Sequence, residues 1–150
     1  MENPIVDIII PALNEEKSIR KVIEAIPKCY RQVVVCNNGS TDNTENIALL
    51  AGAKVVNEPT KGYGIACKKG LSYIAQNTTK PNIIVFLDAD YSDYPEEIEL
   101  LLHPIIQEGM DMVIGNRLTK NRLKGSMTPP QVFGNWLSTK LIKLFWGYNF

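Results

Sequence analysis

The stretch Ile5-Val6-Asp7-Ile8-Ile9-Ile10 is the strongest constraint on what this chain can fold into. Apolar, mostly β-branched side chains fill successive positions and not alternate ones, so a strand built from them is apolar on both faces. Such a strand is stable only inside a sheet covered on both sides, the arrangement of parallel sheets flanked by helices. Asp7 alone interrupts the run, and Pro11 is expected to end the strand.

The segments that follow repeat the pattern. Asn14 is placed to cap a helix with Glu15 and Glu16 in its first turn, and Ile19, Val22, Ile23 and Ile26 then recur at helical spacing up to Pro27. Gln32 to Cys36 reads as a second strand, followed by the turn Asn37-Asn38-Gly39-Ser40 and a helix opened by Asp42 with Glu45 as a capping pair. Val55 and Val56 give a short third strand. After Lys61-Gly62-Tyr63-Gly64, a helix is expected to bury Cys67, Leu71 and Ile74. Ile83 to Leu87 is the most apolar strand and runs into Asp88-Ala89-Asp90. The next helix begins at Asp93 with Glu96 and Pro95, buries Ile98, Leu101, Leu102, Ile105 and Ile106, and is expected to kink at Pro104. Met112 to Ile114 reads as a further strand.

This alternation predicts an α/β fold with a mostly parallel sheet flanked by helices, and 150 residues suffice for a single such domain. Ligands of these sheets bind beyond the carboxyl ends of the strands. The polar clusters at 11–15, 37–42 and 88–90 all fall at such ends.

Charge and cysteine content narrow the partners. Sixteen acids and sixteen Lys and Arg residues cancel, so there is no global field that argues for nucleic acid. The distribution is uneven: no acid follows Asp111, whereas Arg117, Lys120, Arg122, Lys124, Lys140 and Lys143 do. Such a basic segment is either a solvated loop or a place that holds phosphate or anionic lipid. Cys29, Cys36 and Cys67 lack the spacing of a disulfide framework or zinc site, which fits reduced thiols in the cytoplasm. Cys36 and His103 are read as structural. No run approaches the roughly 18 apolar residues that span a bilayer.

Asp88 and Asp90 are the strongest candidates for chemistry. Two carboxylates at i and i+2 just past a buried strand reach one cleft if the backbone turns there, and together with phosphate oxygens they suit Mg2+ or Mn2+. Alone, the pair is equally compatible with a solvated turn carrying a helix-capping acid.

The order of motifs resembles the family 2 glycosyltransferases of the GT-A fold, a Rossmann-like nucleotide-diphospho-sugar transferase fold. Four stretches carry the likeness: Ile8-Ile9-Ile10-Pro11-Ala12-Leu13-Asn14-Glu15-Glu16, Val33-Val34-Val35-Cys36-Asn37-Asn38-Gly39-Ser40-Thr41-Asp42, Lys61-Gly62-Tyr63-Gly64, and Asp88-Ala89-Asp90 with Ile114-Gly115-Asn116-Arg117 downstream. It is nearest in look to polyprenyl-phosphate sugar transferases such as dolichyl-phosphate mannose synthase.

The resemblance implies that Pro11, Ala12, Leu13 and Glu15 line the base and ribose of a nucleotide. Asn37 stands where relatives commonly show the first aspartate of Asp-Asp-Gly-Ser, which accepts a hydrogen bond from the base. Its amide still accepts but brings no charge, so both UDP- and GDP-linked sugars stay open. Lys61 and Gly62 would meet the nucleotide, although the segment also reads as a plain strand-to-helix turn. Asp88 is implied on the ribose and diphosphate side, Asp90 at the metal, and Arg117 at a phosphate of donor or acceptor.

The implied reaction is transfer of a sugar with inversion from a nucleoside diphosphate to an acceptor, such as a polyprenyl phosphate. An acceptor phosphate is already anionic and needs less help from a base than a hydroxyl does. The family's acceptor-binding residues lie largely C-terminal to the Gly-Ser-Arg step. Residues 1–150 are therefore expected to be the nucleotide-sugar-binding domain of a longer protein. A non-catalytic nucleotide-sugar-binding module is the alternative. The absence of a glycine-rich loop after the first strand counts against dehydrogenases and nucleotidyltransferases of similar architecture.

Residues 131–147 are expected to form a helix. Phe133, Leu137, Leu141, Leu144 and Phe145 make one apolar stripe, and Trp136, Lys140 and Lys143 lie beside it. That helix either covers a core or lies on a membrane surface, which would place the protein peripherally on the inner face of the cell membrane.

Overall fold

The computed structural model describes residues 4–115 and 129–147. Residues up to Val113 form one unit and residues from Ile114 onward a second. In the first unit, β1 (Val6–Ala12), β2 (Gln32–Asn37), β3 (Lys54–Asn57) and β4 (Ile83–Phe86) form a sheet in the order β3-β2-β1-β4, with every pairing parallel. The helices are α1 (Ile19–Ala25), α2 (Thr44–Leu50), α3 (Tyr63–Ile74) and α4 (Ile98–Glu108), the last preceded by a single 3-10 turn at Pro95–Glu97. The α/β parallel-sheet fold class expected from the sequence is the one observed.

Both faces of the sheet are covered, as the unbroken apolar run in β1 requires. On one face Ile8, Ile10, Val33 and Val35 pack with Ile19, Val22 and Ile23 of α1, Ala48 of α2, and Ile98 and Leu102 of α4. On the other face Ile9, Val34 and Cys36 meet Ala66 and Ile74 of α3. Asp7, fully buried at the start of β1, pairs with the Arg31 guanidinium at 2.6 and 2.9 Å and accepts from Gln32 Nε2 at 2.9 Å. Arg31 also donates to the carbonyl of Thr79 at 2.8 Å, which ties the approach to β4 to the same point.

Several boundaries differ from the sequence expectation, each for a local reason. Pro11 does not end β1, which runs to Ala12. Ile9 accepts from the amide of Leu87 on the β4 side, and Ala12 accepts from Asn38 on the β2 side. Alternate residues turn to opposite neighbours, so Pro11 faces β4 beyond its last residue, where no ladder hydrogen bond is lost. Asn14 is not a helix cap. It adopts φ 59° and its Oδ1 accepts from the Thr41 amide at 2.8 Å, while α1 starts only at Ile19. Asp42 and Glu45 do not form a reciprocal capping pair, because Glu45 turns to Asn37 and Asn57. Met112 to Ile114 is not a strand. These residues have β propensity, but no described strand lies alongside to supply a ladder, and Met112 and Ile114 are exposed.

Of the residues expected on the covered side of α3, Ile74 is buried, Cys67 is half-buried and Leu71 is not buried. Ala66, Gly70 and Ile74 face the sheet, and Leu71 is exposed. The reason is close approach: a Cβ on Gly70 would lie 2.7 Å from Cys36 Sγ and 2.8 Å from Ile9 Cγ2. At this point of the contact line there is room for glycine alone. Cys36 is correspondingly inert, its thiol pushed up to about 12 mainly by burial.

The second unit contains α5 (Pro129–Trp146), in agreement with the helix expected there. Phe133 and Trp136 rings lie 5.9 Å apart along it, and the Gly147 amide closes its end on the carbonyl of Lys143. The basic loop Arg117 to Lys124 lies outside the described residues.

Gly70→Ala tests the close approach. Alanine gains about 1 kcal/mol in helix propensity, but overpacking two fully buried neighbours costs about 1–3 kcal/mol. Urea unfolding is expected to show net destabilisation, reduced when Cys36→Ala is added to make room.

Candidate functional site

The carboxyl ends of the strands are joined to one another before they meet any ligand. The Asn14 amide donates to Ser40 Oγ at 3.0 Å and the Glu15 amide to Thr44 Oγ1 at 2.8 Å. The Glu16 amide reaches Asp42 Oδ2 at 3.1 Å, and Glu16 in return accepts from the Asn43 amide. Burial would raise the Asp42 carboxyl, but bonds from the Thr44 hydroxyl and amide and from the Glu16 amide outweigh it and hold Asp42 below its usual value. The loop after β1 is thus fastened to the loop after β2 by the side chains of Glu16, Ser40, Asp42 and Thr44, of which the sequence reading assigned only Asp42 to helix capping.

A cleft of about 370 Å³ opens at this end. It is lined by Pro11, Ala12, Leu13 and Glu15 from the end of β1 and the loop after it, by Asp88, Ala89 and Asp90 beyond β4, and by Asn38, Gly62, Tyr63 and Ala66. Seven of the residues singled out from sequence are therefore gathered in one place: Pro11, Ala12, Leu13, Glu15, Gly62, Asp88 and Asp90. Their convergence follows from the parallel sheet, which delivers every strand's carboxyl end to the same edge.

The chain beyond β4 turns sharply. Asp90 Oδ1 accepts from the Ser92 amide at 2.8 Å, and Tyr91 adopts φ 60°, a left-handed conformation uncommon for an aromatic residue. Asp88 and Asp90, on either side of Ala89, both line the cleft. The Tyr63 hydroxyl donates to Asp88 Oδ1 at 3.2 Å. Burial first, then the Asp88 charge, push the Tyr63 phenol up to about 12, so it stays a proton donor at neutral pH.

Two of the expected residues are not in the cleft wall. Asn37 is buried, with Nδ2 donating to Asn57 Oδ1 at 2.8 Å and to Glu45 Oε2 at 3.3 Å, and Oδ1 accepting from the Ser40 amide at 3.2 Å. Asn57 completes the ring by donating to Glu45 Oε1 at 2.9 Å. Lys61 does not line the cleft. Arg117 lies outside the described residues. Conversely, Asn38, Tyr63, Ala66 and Ala89 line the cleft without having been assigned a role. Asn38, Tyr63 and Ala89 stand inside the quoted motifs, and that is the one signal by which they could have been found; Ala66 stands outside them.

Among the described residues no group of three or more His, Cys, Asp or Glu side chains is gathered as a metal cage. Two carboxylates in an open cleft instead suit an ion that keeps water and takes its remaining oxygens from a phosphate ligand, as Mg2+ and Mn2+ do.

The Asn37 ring makes a specific expectation. Asn37→Asp replaces a donor with an acceptor facing two acceptors, so denaturant unfolding should show a loss of about 1–3 kcal/mol. Combining it with Glu45→Gln, which restores a donor, should recover part of that loss.

Comparison with known proteins agrees with this geometry. The family model "Glycosyl transferase family 2" matches residues 7–149. The low-salt glycan biosynthesis hexosyltransferase of Haloferax volcanii is 36% identical over 152 residues, covering 96% of this chain and 35% of that protein. The dolichyl-phosphate hexose transferase of the same organism is 32% identical over 128 residues, covering 83% of this chain and 51% of that protein. The chain thus spans about half or less of the length of these curated relatives. A crystal structure of glucosyl-3-phosphoglycerate synthase from Mycobacterium tuberculosis, in complex with Mn2+, uridine diphosphate and glucosyl-3-phosphoglycerate, superposes with a TM-score of 0.60 at 30% identity. That match covers 69% of this chain and 40% of the synthase. With a GT-A-type parallel sheet, these motifs in this order and a family match over nearly its whole length, the chain belongs to glycosyl transferase family 2.

Proposed function

We propose that residues 1–150 are the nucleotide-sugar-binding domain of a hexosyltransferase that takes a UDP- or GDP-linked sugar and transfers it, with inversion, to a lipid-phosphate acceptor. The observation that carries the donor half of this reading is electrostatic. The cleft is lined by Glu15, Asp88 and Asp90, and among the described residues no Lys, Arg or His lines it. A diphosphate would be repelled from such a cleft unless a divalent cation accompanied it. Mg2+ or Mn2+ held by Asp90, with Asp88 beside it, would supply the positive charge that offsets the nucleoside diphosphate as it leaves.

The chain's own residues then have separable roles. Pro11, Ala12 and Leu13 offer an apolar wall for base and ribose, and Gly62 allows the opposite wall to approach closely. Tyr63 holds one oxygen of Asp88. Arg117 is assigned to a phosphate of donor or acceptor, and Lys61 to the outer phosphate side. The uridine diphosphate and Mn2+ in the synthase structure support the donor class. The name of the dolichyl-phosphate hexose transferase supports the acceptor class.

Among the described residues, no helix is long and apolar enough to cross a membrane. A lipid-phosphate acceptor then calls for a peripheral contact, which we assign to α5, where Trp136, Lys140 and Lys143 run beside the apolar stripe.

Two measurements test this reading. Asp90→Asn keeps the acceptor for the Ser92 amide but removes the charge, and should weaken Mn2+-dependent UDP or GDP binding by about 1–3 kcal/mol in calorimetry. Unchanged affinity removes the metal assignment. The protein should also sediment with anionic vesicles and much less with neutral ones, an effect reduced in Lys140→Glu/Lys143→Glu. Equal, negligible sedimentation of folded parent and variant with both vesicle types rules out the membrane contact.

A further inference from the structure

Asn38 closes β2 with every hydrogen-bonding group of its side chain committed to one short segment. Its Nδ2 donates to the carbonyl of Glu58 at 3.1 Å and to that of Thr60 at 2.7 Å, and its Oδ1 accepts from the Gly62 amide at 2.7 Å. The residue is 4% exposed, so these bonds are shielded from water. The segment it grips leads directly into Gly62, at φ 148°, and Tyr63, the first residue of α3. Gly62 and Tyr63 form one side of the cleft, and Tyr63 reaches across to Asp88.

We propose that Asn38 is a positioning residue that latches the 58–62 segment and so sets the wall of the donor cleft, and that this chain requires an amide there. The proposal rests on reading the cleft as a nucleotide site. Two carbonyls and one amide converge on the side chain, so it must donate twice and accept once, which asparagine does and aspartate does not. Aspartate at position 38 would still accept from Gly62, but its second oxygen would face the carbonyls of Glu58 and Thr60. The wall would then loosen at the point where Tyr63 is aimed.

The experiment is Asn38→Asp in the full chain, with two readouts. Hydrogen exchange of the unliganded protein should accelerate across residues 58–66 and stay at parental levels in β1 and β2. Mn2+-dependent UDP and GDP affinity should fall roughly tenfold at pH 8, the scale of two lost hydrogen bonds. The ratio of variant to parent affinity should close toward pH 5, because a protonated carboxyl regains one donor. A merely destabilising substitution would not produce recovery in that direction. If the aspartate variant does not fold, Asn38→Ser supplies the second test, since it keeps one donor: a smaller loss of affinity is expected, without the pH dependence. A parent that binds no nucleotide overturns the donor-site reading and the latch's role with it. A parent that binds, with variants matching it in affinity and in exchange across 58–66, overturns the latch alone.

Discussion

The contact between α3 and the sheet at Gly70 governs the geometry of the site. Cys36 and Ile9 leave no room for a side chain there, so the helix axis lies closer to the sheet than larger residues would allow. Because α3 is a rigid rod of twelve residues, fixing it near its C-terminal third also fixes its N-terminus. That end carries Gly62 and Tyr63, one side of the cleft. A packing constraint between a glycine and a thiol on the α3 face of the sheet thereby places a phenol against Asp88 at the sheet's edge.

The edge itself is held by polar bonds of a different kind. Asn14, Glu15 and Glu16 are fastened to Ser40, Thr41, Asp42, Asn43 and Thr44, and Asn37 and Asn38 fasten the end of β2 to β3 and the 58–62 segment. Among the described residues no buried side-chain nitrogen or oxygen lacks a partner. The loops that line the cleft are thus preorganised, which lowers the ordering cost of binding.

Much of this was legible in the sequence because periodicity and chain direction decide it. Unbroken apolar runs required a sheet covered on both faces, and parallel strands gathered the loops after β1 and β4 at one edge. What escaped depends on long-range partners. Pro11 reads as a stop until it is known that β4 ends before reaching it. Leu71 outranks Gly70 as a candidate core residue on hydrophobicity alone, yet proximity to Cys36 decides which of them faces inward. Asn14 and Glu45 have the composition of helix caps, and bonds to residues 8 to 27 positions away draw them elsewhere, whereas Asp42 accepts from the first amide of α2 and also from the distant Glu16 amide. Asn37 and Asn38 are interchangeable in sequence, and only their neighbours separate a ring beneath the cleft from a latch in its wall.

The ion pair between buried Asp7 and the exposed Arg31 has a consequence for how the sheet assembles. Ile8-Ile9-Ile10 lies against Val33-Val34-Val35, two runs that are aliphatic on both faces. Sliding one past the other by one or two residues would leave apolar surface buried almost as well, so hydrophobicity discriminates poorly between alignments. Asp7 supplies the missing discrimination, because any slip carries a carboxylate into the sheet away from Arg31 and Gln32 and leaves it uncompensated. The single charge in β1 thus favours one alignment of β1 with β2 where apolar contacts alone would accept several.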